Sequence, residues 1–293
     1  MNTGKLILVA AALFQALLLS SPPAHCAGER MMTIVSIPPQ KYFVRKIGGD
    51  HVRVKAMVRP GASPATYEPT PKQMVGLTEA EVYFAIGVPF ENSWLPKIND
   101  INPELEVVNT YKGIAKLPML EKQNQKADKQ AIRDPHIWLS PSLVRIQAEN
   151  IRDALIRTDP KNQNDYMRNF AAFAREINEV DEKLLNMFCE NPGKNKFMVF
   201  HPSWGYLARS YGLRQLAIER GGKRPGPRLL SAMVREAKQM GIKTVFVQPQ
   251  FSTKSARVIA DAIKGKVVEI DPLAENWEEN LLQAAEKIQK ALR

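Results

Sequence analysis

Short apolar runs rich in valine and isoleucine alternate with helix-like stretches along both halves of this 293-residue chain. Runs of this length and composition are typical of buried strands. The predicted strands are Thr33–Ile37, Val52–Val58, Glu81–Ile86, Leu105–Val108, Phe197–Phe200, Thr244–Val247 and Lys266–Ile270. Arg228–Met240 and the final segment from Trp277 to Leu292 have the spacing of helices. Alternating strands and helices favour parallel sheets, so we expect an α/β fold with two lobes and mainly parallel sheets.

One helix is expected to join the two lobes. Between Ser140 and Thr158 the apolar residues recur every three or four positions, and Asp159-Pro160 closes the pattern. Eighteen helical residues reach about 27 Å, which is long enough for a stiff connection. The predicted organisation is an N-terminal lobe over residues 28–139, one long rigid connecting helix over 140–159 and a C-terminal lobe over 160–293.

The first 27 residues have the layout of a secretory signal peptide. Lys5 precedes an apolar run over Leu6–Leu19, and small residues follow after two prolines. A retained membrane anchor is the alternative, which the short run disfavours. Cys26 is a candidate for lipidation, although His25 before it fits such a site poorly. We therefore expect a periplasmic or otherwise extracytoplasmic protein.

The composition is that of a soluble globular protein, with 44% hydrophobic and 24% charged residues. It excludes a disordered chain, a fibrous repeat and a polytopic membrane protein. The chain carries 41 basic and 30 acidic side chains. The basic stretches at 112–133 and 220–228 lack the interleaved aromatic residues of a nucleic-acid interface. We expect no nucleic-acid partner, a solvated loop at 112–133 and a monomer.

Two histidines and one aspartate occupy positions where α/β folds bind ligands. His201 and Asp271 end predicted strands, and ligands of open α/β sheets bind beyond the carboxyl ends of strands. His136 directly precedes the predicted connecting helix. Two imidazoles and a carboxylate suit zinc, and suit manganese or iron less selectively. Hydrogen-bonded structural histidines are the alternative. His51 is interpreted as a turn residue before a strand.

Four segments, in order along the chain, resemble the cluster A-I solute-binding proteins, which are the extracytoplasmic receptors of zinc and manganese ABC importers. The segments are Arg59-Pro-Gly-Ala-Ser-Pro-Ala-Thr-Tyr-Glu-Pro-Thr-Pro71, Asp134-Pro-His-Ile-Trp138, Phe200-His-Pro-Ser-Trp-Gly-Tyr206 and Val247-Gln-Pro-Gln-Phe-Ser252. The resemblance covers nearly all of the chain after the predicted signal peptide. It implies two α/β lobes joined by one long helix, a divalent metal ion held between them, and an ABC permease in the cytoplasmic membrane as partner.

The resemblance also implies the ligands. His136 and His201 match two histidine ligands of the family, and Asp271 matches its carboxylate. A histidine at the position of His201 is typical of zinc receptors, where manganese receptors tend to have glutamate, so zinc is expected before manganese. The family pattern Pro-His-x-Tyr-Glu-Pro reads Pro64-Ala65-Thr66-Tyr67-Glu68-Pro69 in this chain. One histidine ligand is therefore replaced by Ala65, and water, Glu68 or an exogenous ligand would fill the fourth position.

Three functions remain open at this point. The first is a receptor that delivers zinc to a permease, and the second is a degenerate receptor that binds metal weakly or not at all and keeps an interaction role. The third is a zinc-dependent hydrolase, since two histidines, one aspartate and an open position also suit catalysis. No short motif such as His-Glu-x-x-His supports an enzyme. If a metal is bound, each imidazole should donate its other ring N–H to a carboxylate, a carbonyl or water.

Overall fold

The computed structural model describes residues 30–119, 133–189, 194–219 and 226–293. The predicted signal peptide, Cys26 and most of the basic stretch 112–133 lie outside the described residues, as do Arg220, Lys223 and Arg224. All the elements given below lie within Met31–Arg293.

Two four-stranded parallel sheets form the framework, and both have the same strand order. The first sheet has the order β2-β1-β3-β4 and the second the order β6-β5-β7-β8. The strands are β1 (Met31–Val35), β2 (Val52–Ala56), β3 (Val82–Ala85), β4 (Glu106–Asn109), β5 (Lys196–Val199), β6 (Arg214–Ala217), β7 (Thr244–Val247) and β8 (Lys266–Glu269). The central strands are buried on both faces, as expected where helices cover a parallel sheet. The predicted α/β fold with parallel sheets is confirmed.

Helices connect the strands. They are α1 (Pro38–Gly48), α2 (Pro71–Gly76), α3 (Pro89–Ile101), α4 (Pro141–Thr158), α5 (Gln163–Cys189), α6 (Gly205–Ser210), α7 (Pro227–Gln239), α8 (Lys254–Ala262) and α9 (Trp277–Leu292). Several begin with proline, whose fixed φ suits the first helical position and whose missing N–H would have no partner there. Short 3-10 helices follow at Gly49–His51, Ile137–Leu139 and Pro160–Asn162.

The helix predicted over 140–159 forms as α4, with 18 residues. The longest helix, however, is α5, which has 27 residues and leads toward the second sheet. It packs against α1, α4 and α9. The lobe boundaries stay a prediction. They assign α5 to the C-terminal lobe, but α5 packs along helices from both halves of the chain.

The predicted strands are all present. Thr244–Val247 has the predicted bounds, and the bounds of the others differ by at most two residues. Strand β6 was missed, because Arg214-Gln215-Leu216-Ala217 contains no β-branched or aromatic residue. It pairs with β5 at the edge of the second sheet, where Val199 lies opposite Ala217. His51 closes a 3-10 turn before β2, as interpreted, and its Nε2 lies 2.7 Å from Asp165 Oδ2.

Across the described ranges, none of the helices combines the length and the apolar character that crossing a membrane requires. Within the described part of the stretch 112–133, the backbone forms one isolated antiparallel β-bridge, between Pro118 and Arg133.

Candidate metal site

His136 is held by its own neighbour in sequence, Asp134. The Asp134 Oδ1 atom accepts hydrogen bonds from the His136 backbone N–H at 2.9 Å and lies 2.7 Å from the His136 Nδ1 atom. Both residues are buried. The hydroxyl of Tyr206 donates to the Asp134 carbonyl at 2.9 Å, and the Asp134 backbone N–H donates to the Leu117 carbonyl at 2.8 Å. The imidazole is therefore fixed by Asp134, whose own backbone N–H and carbonyl are both hydrogen-bonded.

His201 follows β5 and Phe200 at the carboxyl end of the second sheet. The Gln248 side chain brackets its backbone: Oε1 accepts from the His201 N–H at 3.2 Å, and Nε2 donates to the His201 carbonyl at 2.8 Å. The His201 Nδ1 atom lies 2.9 Å from the Glu219 Oε2 atom, and Glu219 is buried. The ring also stacks on Phe251, with the centroids 4.8 Å apart.

The structure brings the two imidazoles together. Their ring centroids are 5.3 Å apart in an edge-to-face arrangement. Because a carboxylate can only accept, each Nδ1 carries the hydrogen of the bond to Asp134 or Glu219. This tautomer leaves each Nε2 with a free lone pair, and neither Nε2 has a hydrogen-bond partner among the described residues. The prediction that both histidines have such partners is confirmed, and both partners are carboxylates.

Asp271 lies just beyond β8, but its carboxylate is engaged elsewhere. Its Oδ1 atom accepts from Gln250 Nε2 and from the Leu273 backbone N–H, both at 2.9 Å. Residue 271 does not line the cavity that His136 and His201 line. Nowhere in the described ranges do three or more His, Cys, Asp or Glu side chains lie close enough to hold a metal ion. The structure thus brings two of the three predicted ligands together and leaves the third outside the cavity.

The two imidazoles line a cavity of about 320 Å³. Ala65 also lines it, at the position where the family pattern has a histidine, and its methyl group offers no lone pair. Glu68, the proposed substitute, is exposed and is not among the lining residues. Further walls come from the turn Gly87–Pro89 and from the loop that contains Pro272 and Leu273. The indole N–H of Trp138 donates to the Pro272 carbonyl at 2.6 Å and positions that loop.

Burial governs the charges around the cavity. It lowers the pKa of His201 below its usual value. The hydrogen bond that His201 donates to Glu219 raises this pKa, and the nearby His136 lowers it. A neutral imidazole is the form that binds metal. Burial raises the pKa of the Glu91 carboxyl, which accepts hydrogen bonds from the backbone N–H groups of Ile86 and Gly87. Burial also lowers the pKa of Lys116, and the charge of Glu91 opposes that shift.

Asp134 and Glu219 were not singled out from the sequence. Asp134 was within reach of sequence reasoning, because it lies two residues before His136 in a motif already noted. Glu219 was not, since it follows the missed strand β6 and is 18 residues from His201. Only the pairing of β5 with β6 brings it to the imidazole.

Comparisons with known proteins identify the family of this chain. A family model described as ZnuA, zinc-uptake complex component A, periplasmic, matches residues 34–291. The chain belongs to this family. A crystal structure of ZnuA is 42% identical to it, with a TM-score of 0.85 over 90% of this chain and 100% of that one.

Curated relatives in this family carry different metals in their names. The high-affinity zinc uptake system protein ZnuA of Bacillus subtilis is 25% identical over 259 residues, which are 85% of this chain and 81% of the relative. The iron-binding protein YfeA of Yersinia pestis is 29% identical over 241 residues, which are 79% of this chain and 75% of the relative. The chain is thus a receptor of the family that serves ABC importers of metal ions, and it acts outside the cytoplasm. The family is one of receptors and not of enzymes, so the hydrolase alternative is wrong.

Proposed function

We propose that this receptor binds zinc through His136 and His201, with Asp271 as the third ligand, and delivers it to the permease of an ABC importer. The observation that carries the proposal is the pair of carboxylate-backed imidazoles, His136 with Asp134 and His201 with Glu219. Metal-ligating histidines characteristically donate their second ring N–H to a carboxylate, which fixes the ring and raises its basicity. The two rings also adjoin one cavity.

Asp271 would bind through its second carboxylate oxygen, Oδ2. Its Oδ1 atom is held by Gln250 and by the Leu273 N–H, so the carboxylate is oriented before metal arrives. The adjacent strands β5, β7 and β8 end at the same edge of the second sheet, which supports a short path from Asp271 to His201. A small movement of the Asp271 loop would complete the three-ligand set, and the fourth ligand would come from outside the protein.

Zinc is favoured over manganese because two imidazoles are softer donors than manganese prefers. Metal content by mass spectrometry, on exported protein purified without chelators, should give one zinc per chain. Titration calorimetry should then give tighter binding of zinc than of manganese or ferrous iron to the metal-free protein. Tighter binding of iron or manganese would overturn the choice of metal and leave the receptor function in place.

A degenerate receptor that binds no metal is the second candidate. It is favoured by Ala65 and by the lack, within the described residues, of three clustered metal-ligating side chains. The same calorimetry separates the two candidates. If neither zinc, manganese nor iron binds to the wild-type protein, the degenerate receptor is the correct function.

A further inference from the structure

The cavity beside the two histidines is larger than a metal ion requires. Its volume of about 320 Å³ lies at the lower end of the range of small-molecule sites, which begins at about 300 Å³. A single water molecule takes up only about 30 Å³ of the liquid. An ion with one or two waters would leave most of this space unfilled, whereas a small organic molecule would fill it.

The walls of the cavity are suited to an organic ligand. Proline, valine, leucine and aromatic side chains make up much of the lining, including Pro64, Val88, Trp138, Phe251 and Leu273. Such groups coordinate no metal and hydrogen-bond no water, so they favour contact with carbon atoms over a hydrated ion. Ala65 leaves open the space that an imidazole would otherwise occupy.

The cation of Arg133 lines the same cavity. Arg133 is exposed, and its Nη1 atom donates to the Lys116 carbonyl at 3.4 Å. No carboxylate of the described ranges forms an ion pair with it. A guanidinium matches a carboxylate with two parallel hydrogen bonds. The side-chain amide of Asn92, which also lines the cavity, offers a further donor.

We propose that the cavity binds the metal ion as a complex with a small carboxylate-bearing chelator. The inference rests on the proposed function, because His136 and His201 hold the ion in both. The chelator supplies the donor atoms that Ala65 does not, its carbon skeleton contacts the apolar wall, and a carboxylate outside the metal's coordination sphere pairs with Arg133. The cargo is then the chelated ion rather than the bare one.

Native mass spectrometry of the exported chain tests this, with citrate as the probe. Metal-free protein mixed with zinc and citrate should give a species that contains one zinc and one citrate. Titration calorimetry should show zinc-citrate binding at least tenfold more weakly to Arg133→Gln than to the wild type. Arg145→Gln is the matched control, because Arg145 is exposed on α4, pairs with Glu149 and does not line the cavity. Imidazole, a zinc ligand without a carboxylate, should bind with zinc equally well to the wild type and to Arg133→Gln.

The outcomes are distinguishable. A zinc-only species in the presence of citrate, or a ternary species that Arg133→Gln does not weaken, overturns the inference and leaves zinc binding intact. Failure of both zinc and zinc-citrate to bind the wild type overturns the proposed function itself. A ternary complex that Ala65→His abolishes, while zinc is still bound, supports the inference, since that side chain would occupy the space of the chelator.

Discussion

The two walls of the cavity both depend on buried carboxylates, but the carboxylates hold different things. On one wall Asp134 and Glu219 each hold an imidazole, and the result is a pair of oriented metal donors. On the other wall Glu91 accepts from the backbone N–H groups of Ile86 and Gly87, and the result is a turn of fixed shape that carries Val88 and Pro89. A buried carboxylate therefore orients a metal ligand only where its hydrogen-bond partner is a side chain that can bind metal.

This difference shows which wall is affected by Ala65, which replaces a histidine ligand of the family pattern. In the wall with the turn, Glu91 is buried and hydrogen-bonded, but this wall contributes no imidazole to the cavity. The wall with the histidines keeps both its donors and their support. The two carboxylate-backed imidazoles therefore support the proposed site, in which fewer protein ligands hold the metal ion.

The largest effect should come from removing the donors themselves. His136→Ala and His201→Ala should each weaken zinc binding at least a hundredfold, which is about 2.7 kcal/mol, because only one imidazole would remain. Titration calorimetry measures this. His51→Ala is the control and should bind like the wild type, since His51 pairs with Asp165 outside the cavity. Equal zinc affinity in all three variants would place the metal elsewhere.

A smaller effect should follow when the support of an imidazole is weakened. Glu219→Gln should lower zinc affinity about 10- to 100-fold, because the amide is a poorer acceptor for the His201 Nδ1–H and leaves the ring less basic. Glu91→Gln tests the other wall, where a carboxylate holds backbone rather than a ligand. Its zinc affinity should stay within about threefold of the wild type. If Glu219→Gln and Glu91→Gln lose zinc affinity equally, it is wrong that only the carboxylate behind an imidazole supports metal binding.

Restoring a donor to the empty wall should give a gain of moderate size. Ala65→His should tighten zinc binding at least tenfold, about 1.4 kcal/mol, because a fourth imidazole held by the fold replaces a ligand from solution. Thr66→His places the same side chain one position later, at a residue that does not line the cavity, and should change nothing. An unchanged affinity in Ala65→His would mean that another protein group already fills the position.

Much of the fold could be predicted from the sequence because its strands are short, apolar and β-branched. The exception, β6, shows the limit: Arg214-Gln215-Leu216-Ala217 becomes a strand because β5 offers it an edge, and no local pattern indicates this. Helix α5 was within reach, since Tyr166, Phe170, Phe173 and Ile177 recur at helical spacing. The long connection was assigned to α4 alone because proline and aspartate marked its ends clearly.

The candidate site, like the fold, could be predicted only in part from the sequence. His136 and His201 were predicted as neighbours, and their rings are 5.3 Å apart. Asp271 was expected to converge with them, but its orientation depends on Gln250 and on the backbone at Leu273. Those contacts come from different loops, and spacing along the chain does not encode them. The ligand role of Asp271 stays a prediction for the same reason.

The smallest expected effect concerns the stability of the metal-free protein as the pH falls. Burial lowers the pKa of His201 in the folded state below the ordinary value of about 6.5 that it regains on unfolding. Between these two pKa values the unfolded chain binds more protons than the folded one. The stability that neutral His201 contributes is therefore present above pH 6.5 and is lost as the pH falls toward the lowered pKa. Urea unfolding at a series of pH values from about 8 to about 5 should therefore show wild type losing more stability on acidification than His201→Gln. If His201→Gln follows the wild type, the buried wall does not hold its imidazole neutral, and the contrast between the two walls loses its electrostatic basis.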